Sequence, residues 1–167
     1  MVVFLCILVV VGIIFISYLL FNALHSSKST SSQGVDLNPV GNLSIEQATA
    51  IFNESFVSYF LYSINVDKLH NPPLSSDTPK INFFIDNDVY NAEVKSGVIK
   101  VGKGNVDGED IIIKTTKVEA VKMIKDKSYV SNSFVNGSSE IELVASKAKL
   151  YSKGYLSLYG DITGQKE

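Results

Sequence analysis

The first 24 residues form an almost unbroken apolar run, MVVFLCILVVVGIIFISYLLFNAL, and no Asp, Glu, Lys, Arg or His occurs before His25. A helix of this length extends about 36 Å, which exceeds the roughly 30 Å of hydrocarbon in a bilayer. Each Val, Ile, Leu or Phe near its centre contributes on the order of −0.3 to −0.6 kcal/mol of insertion free energy. Residues 1–24 are therefore predicted to be a transmembrane helix.

Two other interpretations of this run remain open. A cleaved signal peptide has an apolar core of about 7–15 residues, a basic start and a small-x-small cleavage site. Here the run is longer, has no basic start and continues as Asn22-Ala23-Leu24-His25. A pilin-type assembly helix normally follows a short basic leader, which is not visible in this sequence. An uncleaved single-pass anchor is favoured over both.

The segment after the apolar run has the composition of a flexible tether. Residues 25–42, HSSKSTSSQGVDLNPVGN, are rich in Ser, Gly, Thr and Pro and lack apolar periodicity. The nearest positive charge to the span is Lys28, which by itself favours a cytoplasmic domain. The Ser/Thr-rich stalk favours the opposite side, and we expect the domain on the extracytoplasmic side of the membrane.

Residues 43–167 are predicted to form a soluble α+β domain. Ser44-Ile-Glu-Gln47 is a capping box for a helix that runs to about Ile64. From Lys80 the apolar period changes to two, which predicts a three-strand meander to Val101 and then a strand at 110–115. The predicted fold is an antiparallel sheet of about five strands, covered on one face by helices.

The last third of the domain is predicted to add helices and one strand. Thr116-Lys-Val-Glu119 is a second capping box, for a helix to about Lys127. Ser138 or Ser139 is expected to cap a short helix. Residues 149–152 are expected to form a last strand, and residues 155–162 a short helix or extension.

Charge and composition exclude several classes of partner. The formal net charge is −2 and the chain contains no Arg, whereas phosphate binding needs a concentrated basic surface. No nucleic acid is therefore expected as a partner, and a phosphate-clamping enzyme is disfavoured because Arg is best suited to bidentate phosphate recognition. The single cysteine, Cys6, lies in the apolar run and cannot form an intramolecular disulfide.

Candidate catalytic and metal-binding residues are few. His70 has no cysteine or histidine partner at recognisable metal-ligand spacing. The acidic loop 105–110 fails as an EF-hand, because the first and twelfth ligand positions would be Lys103 and Lys114. No Gly-x-Ser-x-Gly turn is present to expose a nucleophile. We expect no metal, no cofactor and no enzymatic activity.

Aromatic side chains are the remaining candidates for a binding function. The chain has nine Phe and eight Tyr but no Trp, and many lie on the first domain helix or near the C-terminus. Most aromatic residues at helical spacing simply pack in a core. The segment FVSYFLYSINV, however, is apolar on nearly all sides, which leaves a ligand cavity as an alternative to a solid core.

Three segments between Lys80 and Tyr159 follow one another in a distinctive order. A hairpin ends on Gly97–Val101, a strand at Asp110–Thr115 leads straight into a helix, and Lys149–Leu158 reads as a strand, a glycine and an apolar helix. This order of elements resembles the sterol-carrier-protein type 2 family of lipid-binding domains.

Two departures from this family are visible. The span from Ser128 to Ser146 is longer than the family's usual second-helix region, and Tyr155 stands where an Asp is common. The resemblance implies an apolar tunnel between sheet and helices that accepts a fatty acyl chain, a sterol or another lipid. It also implies that residues 155–162 help to close that tunnel.

The leading functional hypothesis is a membrane-tethered, non-catalytic module that takes an apolar small molecule from the adjacent bilayer. The expected wall residues are Phe56, Phe60, Leu156 and Tyr159. The alternative is a structural or protein-interaction domain of a cell-surface or envelope assembly with a solid core. An enzyme is the third and least supported hypothesis.

Overall fold

The structure is a computed structural model that describes residues 38–165. The predicted transmembrane helix, residues 1–24, and the tether up to residue 37 lie outside the described residues. Within residues 38–165, no helix has both the length and the apolarity that crossing a bilayer requires.

The described residues form six α-helices and five strands. The helices are α1 (Ile45–Ala50), α2 (Glu54–Ser63), α3 (Lys117–Lys125), α4 (Tyr129–Val135), α5 (Lys147–Lys153) and α6 (Tyr155–Thr163). The strands are β1 (Lys80–Ile85), β2 (Asp88–Lys95), β3 (Val98–Lys103), β4 (Ile111–Thr115) and β5 (Glu140–Leu143). The predicted α+β class is confirmed, and so is the three-strand meander.

The five strands form one sheet in the order β3-β2-β1-β4-β5. The predicted antiparallel sheet is wrong in one respect, because β1 and β4 pair in parallel and the sheet is mixed. Residues 104–110 connect β3 to β4, which are not neighbours in the sheet, so this loop crosses from one side of β1 to the other. The buried Asn82 side chain holds this loop, since it donates to the carbonyl of Val106 and accepts from the Val106 amide. A crossover made by a short loop rather than a helix was not visible in the periodicity.

One face of the sheet carries the core. Along β1, Ile81, Phe83 and Ile85 are buried, and the register places Ile81 and Phe83 beside buried residues of β2 and β4. These neighbours are Tyr90, Ala92, Ile111 and Ile113. The helix α2 packs against β3 and α3, and Phe60 meets Phe83 edge to face with ring centroids 5.6 Å apart.

The predicted helix from Ser44 to Ile64 is two helices. The capping box at Ser44 and Gln47 is confirmed, because both of its hydrogen bonds are present. The helix then stops at Ile51, and Asn53 caps a new one by accepting from the Ser55 amide at 2.9 Å. Asn favours caps over helix interiors because its side chain competes for backbone groups. Asn53 lies within the predicted apolar stripe, and its preference for a cap explains why one helix ends and another begins there.

The last third of the domain differs most from expectation. Residues 140–143 form β5 instead of a helix, since Ser139 does not cap one, and residues 147–153 form α5 instead of a strand. The helix α4 was not predicted. Short segments carry too few repeats for their period to decide between helix and strand. Residues 155–163 form a helix, which is one of the two structures expected for this segment.

Candidate functional site

The four predicted wall residues lie in two different environments. Phe56 and Phe60 lie on α2 and are buried in the core, with 2% and 0% exposure. Leu156 and Tyr159 lie on α6, which packs against α4 and α5. Leu156 is half-buried against the core, and Tyr159 lines a cleft at the protein surface.

The cleft opens between α4, β5 and α6. Its volume is about 360 Å³, which is at the lower end of the range for small-molecule sites. Its lining includes aromatic and aliphatic side chains as well as polar groups. The lining residues are Phe134, Gly137, Ser139, Glu140, Ile141, Tyr159 and Thr163. Of the predicted wall residues, this lining includes Tyr159 alone.

A buried carboxylate lies behind the cleft, on α3. Glu119 accepts hydrogen bonds from the Lys122 ammonium at 2.8 Å, the Tyr129 hydroxyl at 3.0 Å and the Ser133 hydroxyl at 3.0 Å. Burial by itself raises the pKa of the Glu119 carboxyl, but these hydrogen bonds, led by that from Lys122, outweigh burial and lower it below its ordinary value. Glu119 is thus an ionised acceptor.

Three hydroxyl groups connect this carboxylate to the cleft wall. Ser133 and Ser139 oxygens lie 2.8 Å apart, and Ser139 and Thr115 oxygens 2.7 Å apart. Each hydroxyl has one proton. Because Ser133 gives its proton to Glu119, Ser139 must donate to Ser133. Thr115 must then donate to Ser139. The protons of Ser139 and Ser133 thus point away from the cleft, toward the carboxylate.

The capping-box pattern at Thr116 and Glu119 is therefore only half realised. Thr116 caps α3 by accepting from the Glu119 amide at 3.1 Å. The Glu119 carboxylate turns inward to Ser133 instead of returning to the cap. The sequence pattern identified Glu119 but assigned its carboxylate to the helix cap. Besides Lys122 on the same helix, its partners are Tyr129 and Ser133 on α4, an element that the sequence did not predict.

A second buried polar cluster joins α5 to the sheet. Lys153 and Asp110 form an ion pair at 2.9 Å, and both side chains have 0% exposure. The Lys153 ammonium also donates to the carbonyl of Thr78 at 2.8 Å and contacts Asp77 at 3.0 Å. All of its protons are directed at oxygen atoms, so the buried charge is compensated.

The Asp110 carboxylate has further donors. It accepts from the Lys80 amide at 2.9 Å, the Tyr155 hydroxyl at 3.1 Å and the Lys149 ammonium at 2.9 Å. Desolvation, aided by the nearby Asp110 charge, raises the pKa of the Tyr155 hydroxyl far above its usual value. The Tyr155 hydroxyl therefore stays protonated near neutral pH. The hydrogen bonds and ion pairs of Asp110 hold α5 and α6 against the sheet.

Sequence reasoning missed both clusters. A weak sequence signal existed for the Lys153–Asp110 cluster. Lys153 follows Leu150 by three residues, so both lie on the same, buried face of the helix. Among residues 38–165, no buried side-chain polar atom lacks a hydrogen-bond partner.

Two carboxylates at the β1–β2 turn contact Lys117 at the start of α3. Asp86 accepts from the Lys117 amide, and Asp88 forms an ion pair with Lys117 at 2.7 Å. The lowered pKa of Asp88 comes chiefly from that Lys117 contact. His70 is exposed at the surface. Within the described part of the chain, no group of His, Cys, Asp and Glu residues could hold a metal ion.

Comparison with known proteins gives only distant structural neighbours. No family model and no curated protein matches the chain. A double mutant of the sec-alkyl sulfatase PisA1 is similar at 14% identity and a TM-score of 0.45, over 72% of this chain and 18% of that one. This chain thus spans under a fifth of the sulfatase's length.

Sterol-carrier-protein domains are also among the neighbours. UbiJ-SCP2, a ubiquinone synthesis protein, is 10% identical with a TM-score of 0.38, over 64% of this chain and 88% of that one. Apo sterol carrier protein 2 from Yarrowia lipolytica is 12% identical with a TM-score of 0.33, over 72% of this chain and 88% of that one.

Proposed function

We propose that this chain is a membrane-anchored, non-catalytic module that binds a single-chain apolar molecule, such as a fatty acyl compound, in the cleft between α4, β5 and α6. The observation that carries the proposal is the cleft itself, with Phe134, Ile141 and Tyr159 in its wall. Its size suits a narrow chain better than a bulky ligand. The helix α6, which the family resemblance implies as a closing element, forms one side.

The absence of catalysis in this proposal rests on the polar groups at the cleft. Ser139 is the lining hydroxyl that most resembles a catalytic nucleophile, because hydrogen bonds link it to a carboxylate. Its proton is donated to Ser133, however, and Ser133 donates to Glu119. A carboxylate with a lowered pKa is a weak base. Nucleophilic activation of Ser139 by this chain of groups is therefore unfavourable, and binding is the better use of the cleft.

The anchor in this proposal is the apolar segment, residues 1–24. We expect the full-length chain to stay in the membrane pellet after alkaline carbonate extraction, and a chain lacking residues 2–24 to appear in the supernatant. The summed insertion free energy of more than a dozen large apolar residues favours membrane insertion of the full-length chain over the truncated one by several kcal/mol. Release of the full-length chain, or a mass showing cleavage near residue 24, would contradict the anchor.

Binding in the cleft can be measured because the chain contains no Trp. Val135, 67% exposed, follows the cleft residue Phe134 and does not itself line the cleft. Val135→Trp places a single fluorophore beside the site. We expect dibromostearyl alcohol, whose bromine atoms quench Trp at short range, to quench this reporter saturably in the full-length chain in nonionic micelles.

The matched control is Val98→Trp, an exposed position at the start of β3. Strands β3 and β5 are the two edges of the sheet, about 19 Å apart at four strand spacings. Quenching at this position measures nonspecific uptake of the brominated chain. Equal quenching of the two reporters at all concentrations would overturn the proposed cleft ligand.

A specific observation also favours the second function, an interaction domain with a solid core. Phe56 and Phe60 pack in the interior instead of facing a tunnel. In that case a stable protein partner, and no lipid, should be recovered when the full-length chain is crosslinked in its membrane and purified. Exposed apolar residues at the β5 edge, Leu143 and Val144, are the surface for such a partner.

A further inference from the structure

The two edges of the sheet differ in how far the rest of the domain covers them. At the β3 edge, the helix α2 packs against the strand, and the Ile99 amide donates to the Tyr62 hydroxyl of that helix at 3.2 Å. At the β5 edge, both Leu143 and the following Val144 are exposed. An uncovered strand edge is a template for pairing with another strand, so β5 is the edge that can accept one.

The register shows which backbone groups of β5 point away from the sheet. The Val144 amide donates to the Asp110 carbonyl at 2.9 Å, which makes these two residues a hydrogen-bonded pair. Such pairs alternate along antiparallel strands, so the backbone groups of Ile141 and Leu143 face outward. Neither of these two amides has an acceptor among residues 38–165. They are free to bond to an added strand.

The two faces of β5 have different chemistry. On the open face of the sheet, the Glu140 and Glu142 side chains are 67% and 51% exposed, and they share one ammonium, that of Lys114, at 3.8 and 3.0 Å. On the face toward the helices, Ile141 is half-buried and Leu143 is 39% exposed. Because side chains alternate along a strand, an added strand would meet excess negative charge on one face and aliphatic groups on the other.

From this arrangement we infer that β5 accepts, as an additional edge strand, an extended segment of another protein in which basic and apolar residues alternate. The basic residues lie against Glu140 and Glu142, and the apolar residues cover Ile141 and Leu143. Backbone hydrogen bonds to the outward amides and carbonyls supply affinity, and the alternate side chains supply selectivity. This inference goes beyond the proposed ligand, because it concerns the sheet edge and requires no occupant of the cleft.

A second copy of this chain is a poorer occupant of the same edge. When two β5 strands pair about a twofold axis, residues directly opposite each other lie on the same face. Such a pair places Glu140 opposite Glu142, or Glu142 opposite itself. Like charges directly opposite each other are destabilising. The carboxylates that attract a basic strand therefore oppose self-pairing, and charge complementarity favours a different protein as the partner.

The probe is a fluorescein-labelled hexapeptide made of three valine–lysine repeats, titrated with the full-length chain in nonionic micelles and followed by fluorescence anisotropy. We expect saturable binding above the signal of empty micelles. A peptide of three valine–glutamate repeats has the same length and alternation with the opposite charge, and it is expected to show no saturable binding.

Backbone pairing is tested by methylating amide nitrogens of the lysine peptide. One methylated peptide carries the methyl groups on its valine amides and the other on its lysine amides, so that each loses the donors along a single edge. The set that faces β5 is expected to weaken binding by about tenfold or more, and the outward set to leave it unchanged. Loss with the valine set indicates antiparallel addition, and loss with the lysine set indicates parallel addition.

Two variants assign the charge preference to β5. Glu140→Gln is expected to weaken binding of the lysine peptide about threefold, as the loss of one exposed charge pair implies. Glu93→Gln is the matched control, because it removes an equal charge from the same open face of the sheet, on β2. That position lies three strands from β5, about 14 Å away, and the variant is expected to bind the peptide as the parent chain does.

Three outcomes would overturn the inference. The first is equal affinity for the lysine and glutamate peptides, and the second is equal affinity for the two methylated peptides, since strand pairing uses only one edge of the peptide. The third is an equal loss of affinity in Glu140→Gln and Glu93→Gln, which general attraction to the negative chain would produce. None of these results bears on the cleft ligand, which quenching of the Val135→Trp reporter measures separately.

Discussion

Replacing Lys153 with Met is expected to lower the free energy of unfolding by about 3–5 kcal/mol. Lys153 and Asp110 are an ion pair with both side chains at 0% exposure. Met keeps the length and most of the apolar stem of Lys, so the change removes the charge with little loss of packing. It leaves the Asp110 carboxylate buried without its main counter-charge, which costs far more than losing an exposed pair.

The measurement is urea unfolding of the full-length chain in nonionic micelles, followed by circular dichroism. Lys149→Met is the matched control, because Lys149 lies on the same helix and contacts the same carboxylate at 2.9 Å while its side chain is 33% exposed. Its loss is expected to cost less than about 1 kcal/mol. Equal costs for the two variants would show that burial does not decide the strength of this cluster.

The same change bears on the cleft. Asp110 also accepts from the Tyr155 hydroxyl, and Tyr155 opens α6, the helix that carries Tyr159. The cluster thus fixes the start of the helix that forms one cleft wall. A side chain far from the ligand can in this way hold the geometry of the site through ordinary packing and hydrogen bonds.

The sequence was sufficient for features that depend on local order. Alternating apolar residues from Lys80 placed the β1–β3 meander, and the capping box at Ser44 placed the first helix start. The sequence was insufficient for features that depend on contacts between segments far apart in the chain. The helix break at Asn53 depends on a polar side chain that caps the second helix instead of continuing the first. The parallel pairing of β1 with β4 depends on the path of the loop between β3 and β4, which Asn82 contacts and which local periodicity does not reveal.

The candidate site was predicted only in part for a similar reason. Tyr159 was selected as an aromatic residue on an apolar helix, and it does line the cleft. Phe134 and Ile141 were not selected, since α4 and β5 were assigned to other structures or to none. Ser139 belongs to the site through hydrogen bonds to Ser133 and Thr115, which no spacing rule connects. A cleft between short elements is invisible until those elements are placed.

Phe60→Ala is the second change with a large expected effect, a loss of about 3–5 kcal/mol in the free energy of unfolding. The Phe60 side chain is fully buried and meets the Phe83 ring edge to face. Removing it deletes apolar contacts and leaves a cavity that the surrounding strands and helices fill only in part. Tyr159→Ala, at a half-buried position on the cleft, is expected to cost about 1 kcal/mol or less.

Ligand binding should show the opposite order for these two variants. Quenching of the Val135→Trp reporter by dibromostearyl alcohol is expected to weaken several-fold in Tyr159→Ala and to stay unchanged in Phe60→Ala below its unfolding transition. Periodicity gives a core residue and a tunnel-wall residue the same pattern, so only such a paired measurement separates them. A Phe60→Ala chain that is nearly as stable as the parent and binds the alcohol more tightly would place the ligand between sheet and helices, because the truncation would then have enlarged an existing space.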